Sequence, residues 1–125
     1  MENDLSDNII QAAIEVHRLL GGPGLLENIY ESALSHELSL RGLPNQRQIP
    51  ISVIYKNTEV RDPLYLDILV DNQLIIEVKA TSKDYSFYQA QLFTYLRLTG
   101  IKRGLLINFG KKHVKDGISR VVNDS

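Results

Sequence analysis

Apolar residues recur at helical spacing from about Leu5 to Leu20, where Ile9, Ile10, Ala13, Ile14, His17 and Leu20 form one stripe. The run Gly21-Gly22-Pro23-Gly24 breaks that helix. A second helix is predicted from about Leu26 to Leu40, with Ile29, Tyr30, Ala33, Leu34 and Leu38 on its inner side, and Gly42 supplies a left-handed stop. The period then changes. Ile49–Tyr55 alternates weakly, Leu64–Val70 is richly apolar and Leu74–Ala80 carries a β-branched run, so three strands are expected. Lys56-Asn57-Thr58 and Asp71-Asn72-Gln73 are turn material between them. A third helix is predicted over about Tyr85 to Leu98, ended by Thr99-Gly100, and Gly104–Phe109 reads as a buried strand stopped by Gly110. Gly117–Val122 is a last short strand or a helix; periodicity does not decide. The order ααβββαβ gives an α/β (α+β) fold with a mixed sheet, one domain over residues 1–125.

Three charges interrupt the apolar strands. Asp67 lies in LYLDILV, and Glu77 and Lys79 lie in IIEVK. Charges desolvated in a sheet need partners or a metal, because an unpaired buried ion costs several kcal/mol. Side chains alternate across a strand, so Glu77 and Lys79 share a face, roughly 6.7 Å apart, with Ile75 before them. By the same rule Leu66, Ile68 and Val70 line one face of the preceding strand, and Tyr65, Asp67 and Leu69 the other. A two-residue loop at Asp71-Asn72 would send the two carboxylates to different faces. A three-residue loop, Asp71-Asn72-Gln73, sets Asp67 opposite Glu77, Ile68 opposite Ile76 and Leu66 opposite Val78, with Asn72 or Gln73 left-handed. In that register Asp67 and Glu77 are hard oxygen ligands suited to Mg²⁺ or Mn²⁺, and Lys79 is placed to orient or deprotonate a water or to stabilise a charged transition state. The plainer alternative is a salt-bridged Asp/Glu/Lys cluster at a sheet end.

Composition sets bounds. The 125 residues are 43% hydrophobic and 23% charged, ordinary for a globular domain with one core. The absence of Cys excludes disulfides, thiolate metal sites and cysteine nucleophiles. No apolar run approaches a membrane span and no signal peptide is recognised, so no membrane partner and a cytoplasmic location are expected. The net charge of −1 argues against coating nucleic acid by bulk electrostatics, but the charge is uneven. Residues 1–40 hold seven Asp/Glu against Arg18 alone, while residues 97–125 hold seven Lys/Arg against Asp116 and Asp124. Such a basic end, with Lys111, Lys112, Lys115 and Arg120, suits phosphate contacts, although an ordinary solvated surface has the same pattern.

The chain also resembles a known family over nearly its whole length. Gly24-Leu25-Leu26-Glu27-Asn28-Ile29-Tyr30 fits the pattern GxxExxY, which names a family of small bacterial and archaeal proteins, similar to a compact branch of the PD-(D/E)xK nuclease superfamily. Gln48 before the first strand, Asp67, Glu77-Val78-Lys79, Gln91 and Tyr95 in QAQLFTYL, and GLLINFG at Gly104–Gly110 are further hallmarks in the right order. The resemblance implies a restriction-endonuclease-like core, a four-stranded mixed sheet flanked by helices. It implies that Glu27 joins Asp67 and Glu77 as a ligand of Mg²⁺ or Mn²⁺, and that Gln91 assists Lys79. A carboxylate at a helix N-terminus is also favoured by the macrodipole, which is the usual reason for finding one there. Gln91 and Tyr95, at i and i+4, can face the site together, or Tyr95 can pack in the core with Gln91 beside it. Tyr30 is expected to pack or to buttress Glu27, and His17 to take a core or hydrogen-bonded role rather than a metal. Two departures stand out: Leu66 replaces the superfamily's Pro before the Asp, and Tyr88 stands where many relatives carry His.

The reading favoured is a metal-dependent nuclease acting on nucleic acid, DNA ahead of RNA. The alternatives are a non-catalytic nucleic-acid-binding or regulatory module that keeps the fold, and a small partner that forms a homodimer or serves as an accessory protein. No base-reading helix or aromatic platform stands out in the sequence.

Overall fold

The computed structural model describes residues 2–124, with side chains from residue 4 onward. Two helices, α1 (Glu2–Leu19) and α2 (Glu27–Leu40), precede three strands, β1 (Asn45–Tyr55), β2 (Thr58–Val70) and β3 (Leu74–Lys79). Helix α3 (Ser86–Thr99) then crosses to β4 (Arg103–Asn108), and a 3-10 turn (Val114–Gly117) leads to β5 (Ile118–Val122). The sheet order is β1-β2-β3-β4-β5, with β3 and β4 parallel and every other pair antiparallel. The expected four strands are thus joined by a fifth, built from the segment that periodicity left open. No helix among the described residues is long and apolar enough to cross a membrane.

The sheet separates two apolar layers. On one face, Ile9, Ala13 and Val16 of α1 and Tyr30, Leu34 and Leu38 of α2 pack on Ile68, Val70, Leu74, Ile76, Val78, Leu105 and Ile107. On the other face, Leu92, Tyr95 and Leu96 of α3 pack on Ile51, Leu66, Ile75 and Leu106. Helix α3 lies so close to β4 that a Cβ at Gly104 would sit 2.8 Å from the Leu92 side chain.

The strands β1 and β2 are longer than expected because they run on past the core as a two-stranded ribbon. Thr58–Pro63 is mostly exposed and polar, so no core face imposes alternation on it. Gln48 lies inside β1 rather than before it. It is also one of the few non-glycine residues with positive φ, at 52°.

That residue marks a crease. In β2, Leu64 and Leu66 belong to the α3 layer, whereas Ile68 and Val70, of the same parity, belong to the α1–α2 layer. In β1, Ile49 and Ile51 face α3, while Asn45 and Arg47 reach Ser35 and Glu31 of α2. The expectation that Leu66, Ile68 and Val70 share one face is therefore corrected. Both strands turn over where Gln48 stands beside Asp67, and the outer ribbon folds onto α3.

Candidate active site

The turn between β2 and β3 has three residues, and Val70 pairs with Leu74, Leu69 with Ile75 and Ile68 with Ile76. This is the odd register that sets Asp67 against Glu77. Asp71 and Asn72 carry the left-handed conformations, at φ 51° and 54°, and Gln73 does not. The Leu66–Val78 pair does not form, because the ladder stops at Ile68–Ile76. Beyond it, side chains take over the strand-to-strand bonds. The Asp67 backbone N–H donates to Glu77 Oε2 at 2.9 Å, and the Val78 N–H donates to Asp67 Oδ2 at 2.8 Å. The crease peels β2 away from β3 and opens the gap that the two carboxylates fill.

Their environment is poor in water. Glu77 is 2% exposed and Asp67 is half-buried. Burial first, then repulsion from Asp67, pushes the Glu77 carboxyl up to about 8. Burial also raises Asp67 to about 6, with the Val78 N–H opposing it and the Glu31 and Glu27 charges adding to it. Burial raises both carboxyls, the Asp67 charge adds to the rise at Glu77, and a proton or a cation relieves the pair.

Lys79 lies on the same face of β3, toward α3. Its Nζ donates to Gln91 Oε1 at 3.0 Å and sits 4.7 Å from the Tyr88 ring centroid. Gln91 and Tyr95 turn out to combine both expected arrangements. Tyr95 is buried among Leu92, Leu96 and Ile75, yet burial and then the Glu77 and Asp67 charges raise its phenol, so it also senses the site. Glu27 opens α2 as expected. Its carboxyl is raised by desolvation and lowered by Lys79, which brings it into the same electrostatic neighbourhood.

Tyr30 is fully buried and stacks on Phe109 at 4.8 Å. Its hydroxyl donates to the Gly22 carbonyl at 2.7 Å and accepts from the Leu25 N–H at 3.1 Å, which fixes the loop that presents Glu27. The His17 Nε2–H donates to the Lys111 carbonyl at 3.0 Å, the hydrogen-bonded role expected of it. The four C-terminal cations do not converge. Lys111 pairs with Asp84 at 2.9 Å and Arg120 with Asp7 at 3.5 Å. Lys112 and Lys115 line a cavity of about 530 Å³ with His17, Arg18 and Gly22.

Of three further participants, Glu31 and Asn108 escaped the sequence reading, and Gln48 was named there only as a hallmark of the resemblance. Glu31, one turn beyond Glu27, takes the inner position expected for Ile29, and is 4% exposed where Ile29 is 44% exposed. It accepts from Arg47 Nε at 3.0 Å and from Gln48 Nε2 at 3.0 and 3.2 Å. Gln48 Nε2 also lies 3.4 Å from Asp67 Oδ1, so its amide links the two acids. The i, i+4 spacing of Glu27 and Glu31 was the available signal. Asn108 is the third. Its side-chain amide accepts from the Thr81 N–H and donates to the Thr81 carbonyl, clamping the chain just after Lys79. A Cβ at Gly110 would collide with that same Thr81 backbone.

The donor set suits a hard divalent cation. Asp67 and Glu77 supply carboxylate oxygens beside each other in a desolvated gap, and Mg²⁺ is commonly held by one or two carboxylates with waters completing its shell. Among the described residues, however, no three His, Asp or Glu side chains stand together as a ready-made cage. Neither the curated proteins nor the solved structures give a match to this chain. Residues 3–121 do match the family model described as the PD-(D/E)XK nuclease superfamily, and the chain belongs to that superfamily.

Proposed function

We propose that the protein is a divalent-metal-dependent nuclease of the GxxExxY branch, hydrolysing phosphodiester bonds in nucleic acid, with DNA ahead of RNA. The observation that carries this reading is the Asp67–Glu77 pair, both carboxyls pushed up by burial and Glu77 further by the Asp67 charge, beside a lysine fixed by Gln91. Nucleases of this superfamily generally use divalent metals. Asp67 and Glu77 hold the Mg²⁺ or Mn²⁺, with Glu27 completing the acidic set. The cation, when bound, supplies Lewis acidity toward a phosphoryl oxygen. Lys79 orients or deprotonates the attacking water, or stabilises negative charge on the phosphoryl group. Gln91 holds Lys79 Nζ in place, Tyr95 supports Gln91 from the core, and Tyr30 holds the loop before Glu27. Lys112 and Lys115, with Lys111 and Arg120 farther apart, contact phosphates away from the scissile bond.

Cleavage of plasmid and single-stranded substrates with Mn²⁺ tests this reading. Wild type is expected to cut, and Glu77→Gln and Lys79→Ala to lose cutting while keeping their fold by circular dichroism. Undiminished cutting by Glu77→Gln would overturn it. One observation favours the second reading, a nucleic-acid-binding or regulatory module: no three acids are gathered as a metal cage among the described residues. Nucleic-acid binding without cutting under any divalent metal would select that module.

A further inference from the structure

After Lys79 the chain leaves the sheet and delivers three aromatic residues, Tyr85, Phe87 and Tyr88, at the start of α3. Their rings form one cluster. The Tyr85–Tyr88 centroids are 5.3 Å apart and edge-on, Phe87–Tyr88 are 4.5 Å apart, and Tyr85–Phe87 are 5.5 Å apart. Tyr88 is the half-buried anchor, packed against the α3 core layer. Phe87 is 59% exposed and Tyr85 is 41% exposed. Lys79 ties the cluster to the candidate active site. Lys79 Nζ lies 4.7 Å from the Tyr88 centroid while it donates to Gln91.

Two features suit this cluster to a nucleobase. Exposed rings forgo burial that a flat apolar ligand restores, and every base has a π-face that stacks on an aromatic side chain. The adjoining acid, Asp84, is paired with Lys111 at 2.9 Å, which offsets its charge toward an approaching phosphate strand. A base inside a duplex has both faces covered by its neighbours, and only an unpaired or splayed base can stack on Phe87.

We propose that Tyr85, Phe87 and Tyr88 form a stacking subsite for an unpaired nucleobase next to the scissile phosphate at the Asp67–Glu77–Lys79 site, and that the preferred substrate is therefore single-stranded or locally unpaired nucleic acid. The proposal rests on the nuclease reading and specifies its substrate. Phe87 and Tyr85 bind the base, and Tyr88 holds them against Lys79.

The test is equilibrium binding of a fluorescein-labelled single strand and of the matching duplex, with Ca²⁺ replacing Mg²⁺. Wild type is expected to bind the single strand more tightly. Phe87→Ala is expected to weaken single-strand binding roughly 5- to 100-fold, the usual range for one lost base–aromatic stack, and to leave duplex binding unchanged. Phe87→Trp is expected to bind as wild type, and Phe87→Leu, apolar but without a ring, to fall as Phe87→Ala does. The double variant Tyr85→Ala/Phe87→Ala covers the case in which one ring replaces the other. Equal wild-type affinity for both forms, or wild-type binding by Phe87→Leu and by the double variant, would overturn the subsite. Cutting by Glu77→Gln in the Mn²⁺ assay bears on the nuclease reading alone, so the two failures are distinguishable.

Discussion

Two adjoining stretches of the β2–β3 hairpin are built on opposite rules. From Ile68 to Val70, β2 pairs with Leu74–Ile76 through an unbroken ladder, and all six side chains are apolar. At Asp67 and Glu77 the ladder stops, and carboxylates bond the backbone N–H groups that a partner strand would have engaged. The inner stretch fixes the register, and the outer stretch spends that register on chemistry. Regular pairing is what makes the irregular site possible, because a slip of one residue would move Asp67 away from Glu77.

The two stretches respond differently to substitution. The largest effect is expected at the outer one. Asp67→Ala should remove cleavage to the limit of detection while melting cooperatively, since it removes an acid whose burial is unfavourable. Next comes the inner stretch. Ile76→Ala opens a cavity in a fully buried position and should cost about 2–5 kcal/mol in denaturant unfolding.

Gln48 sharpens the comparison further. Its φ of 52° strains any residue but glycine, by about 1–3 kcal/mol. Gln48→Gly relieves the strain and deletes the amide between Glu31 and Asp67. Stability should stay within about 1 kcal/mol of wild type while cleavage falls roughly 10- to 100-fold, as for lost outer-shell support of a metal ligand. Equal loss of both would mean that the crease serves folding alone.

The smallest effect concerns pH. The folded Glu77 carboxyl is raised to about 8, above its ordinary value of 4.5, so between these values the metal-free folded state holds a proton that the unfolded state has lost. The stability this contributes is fully present below about pH 4.5 and is lost as pH rises toward 8. Glu77→Gln should flatten that slope in urea titrations run from pH 5 to 8.5.

Much of this was legible in the sequence, for specific reasons. The three-residue turn followed from requiring Asp67 and Glu77 to meet, and the apolar inner pairs enforce the same register. The crease was not legible. Leu64, Leu66, Ile68 and Val70 keep perfect alternation through it, and both sheet faces are apolar, so a change of face leaves no mark on the pattern. Glu31 was missed because a charged residue reads as solvent-facing, whereas Arg47 and Gln48 satisfy it in the interior. Asn108 was hidden within an apolar strand, its role set by the approach of Thr81. The aromatic cluster at the start of α3 also had no periodic signature, because it depends on where the crossover returns beside Lys79.

Calorimetric titration of the metal-free protein with Mn²⁺ at pH 7 tests most directly whether the Asp67–Glu77 gap exists for a cation. Saturable binding with proton release to the buffer is expected for wild type, because the raised carboxyls give up their proton to the metal, and it should be abolished in both Asp67→Asn and Glu77→Gln. Absence of binding in wild type, or equal binding in Asp67→Asn, would contradict the account.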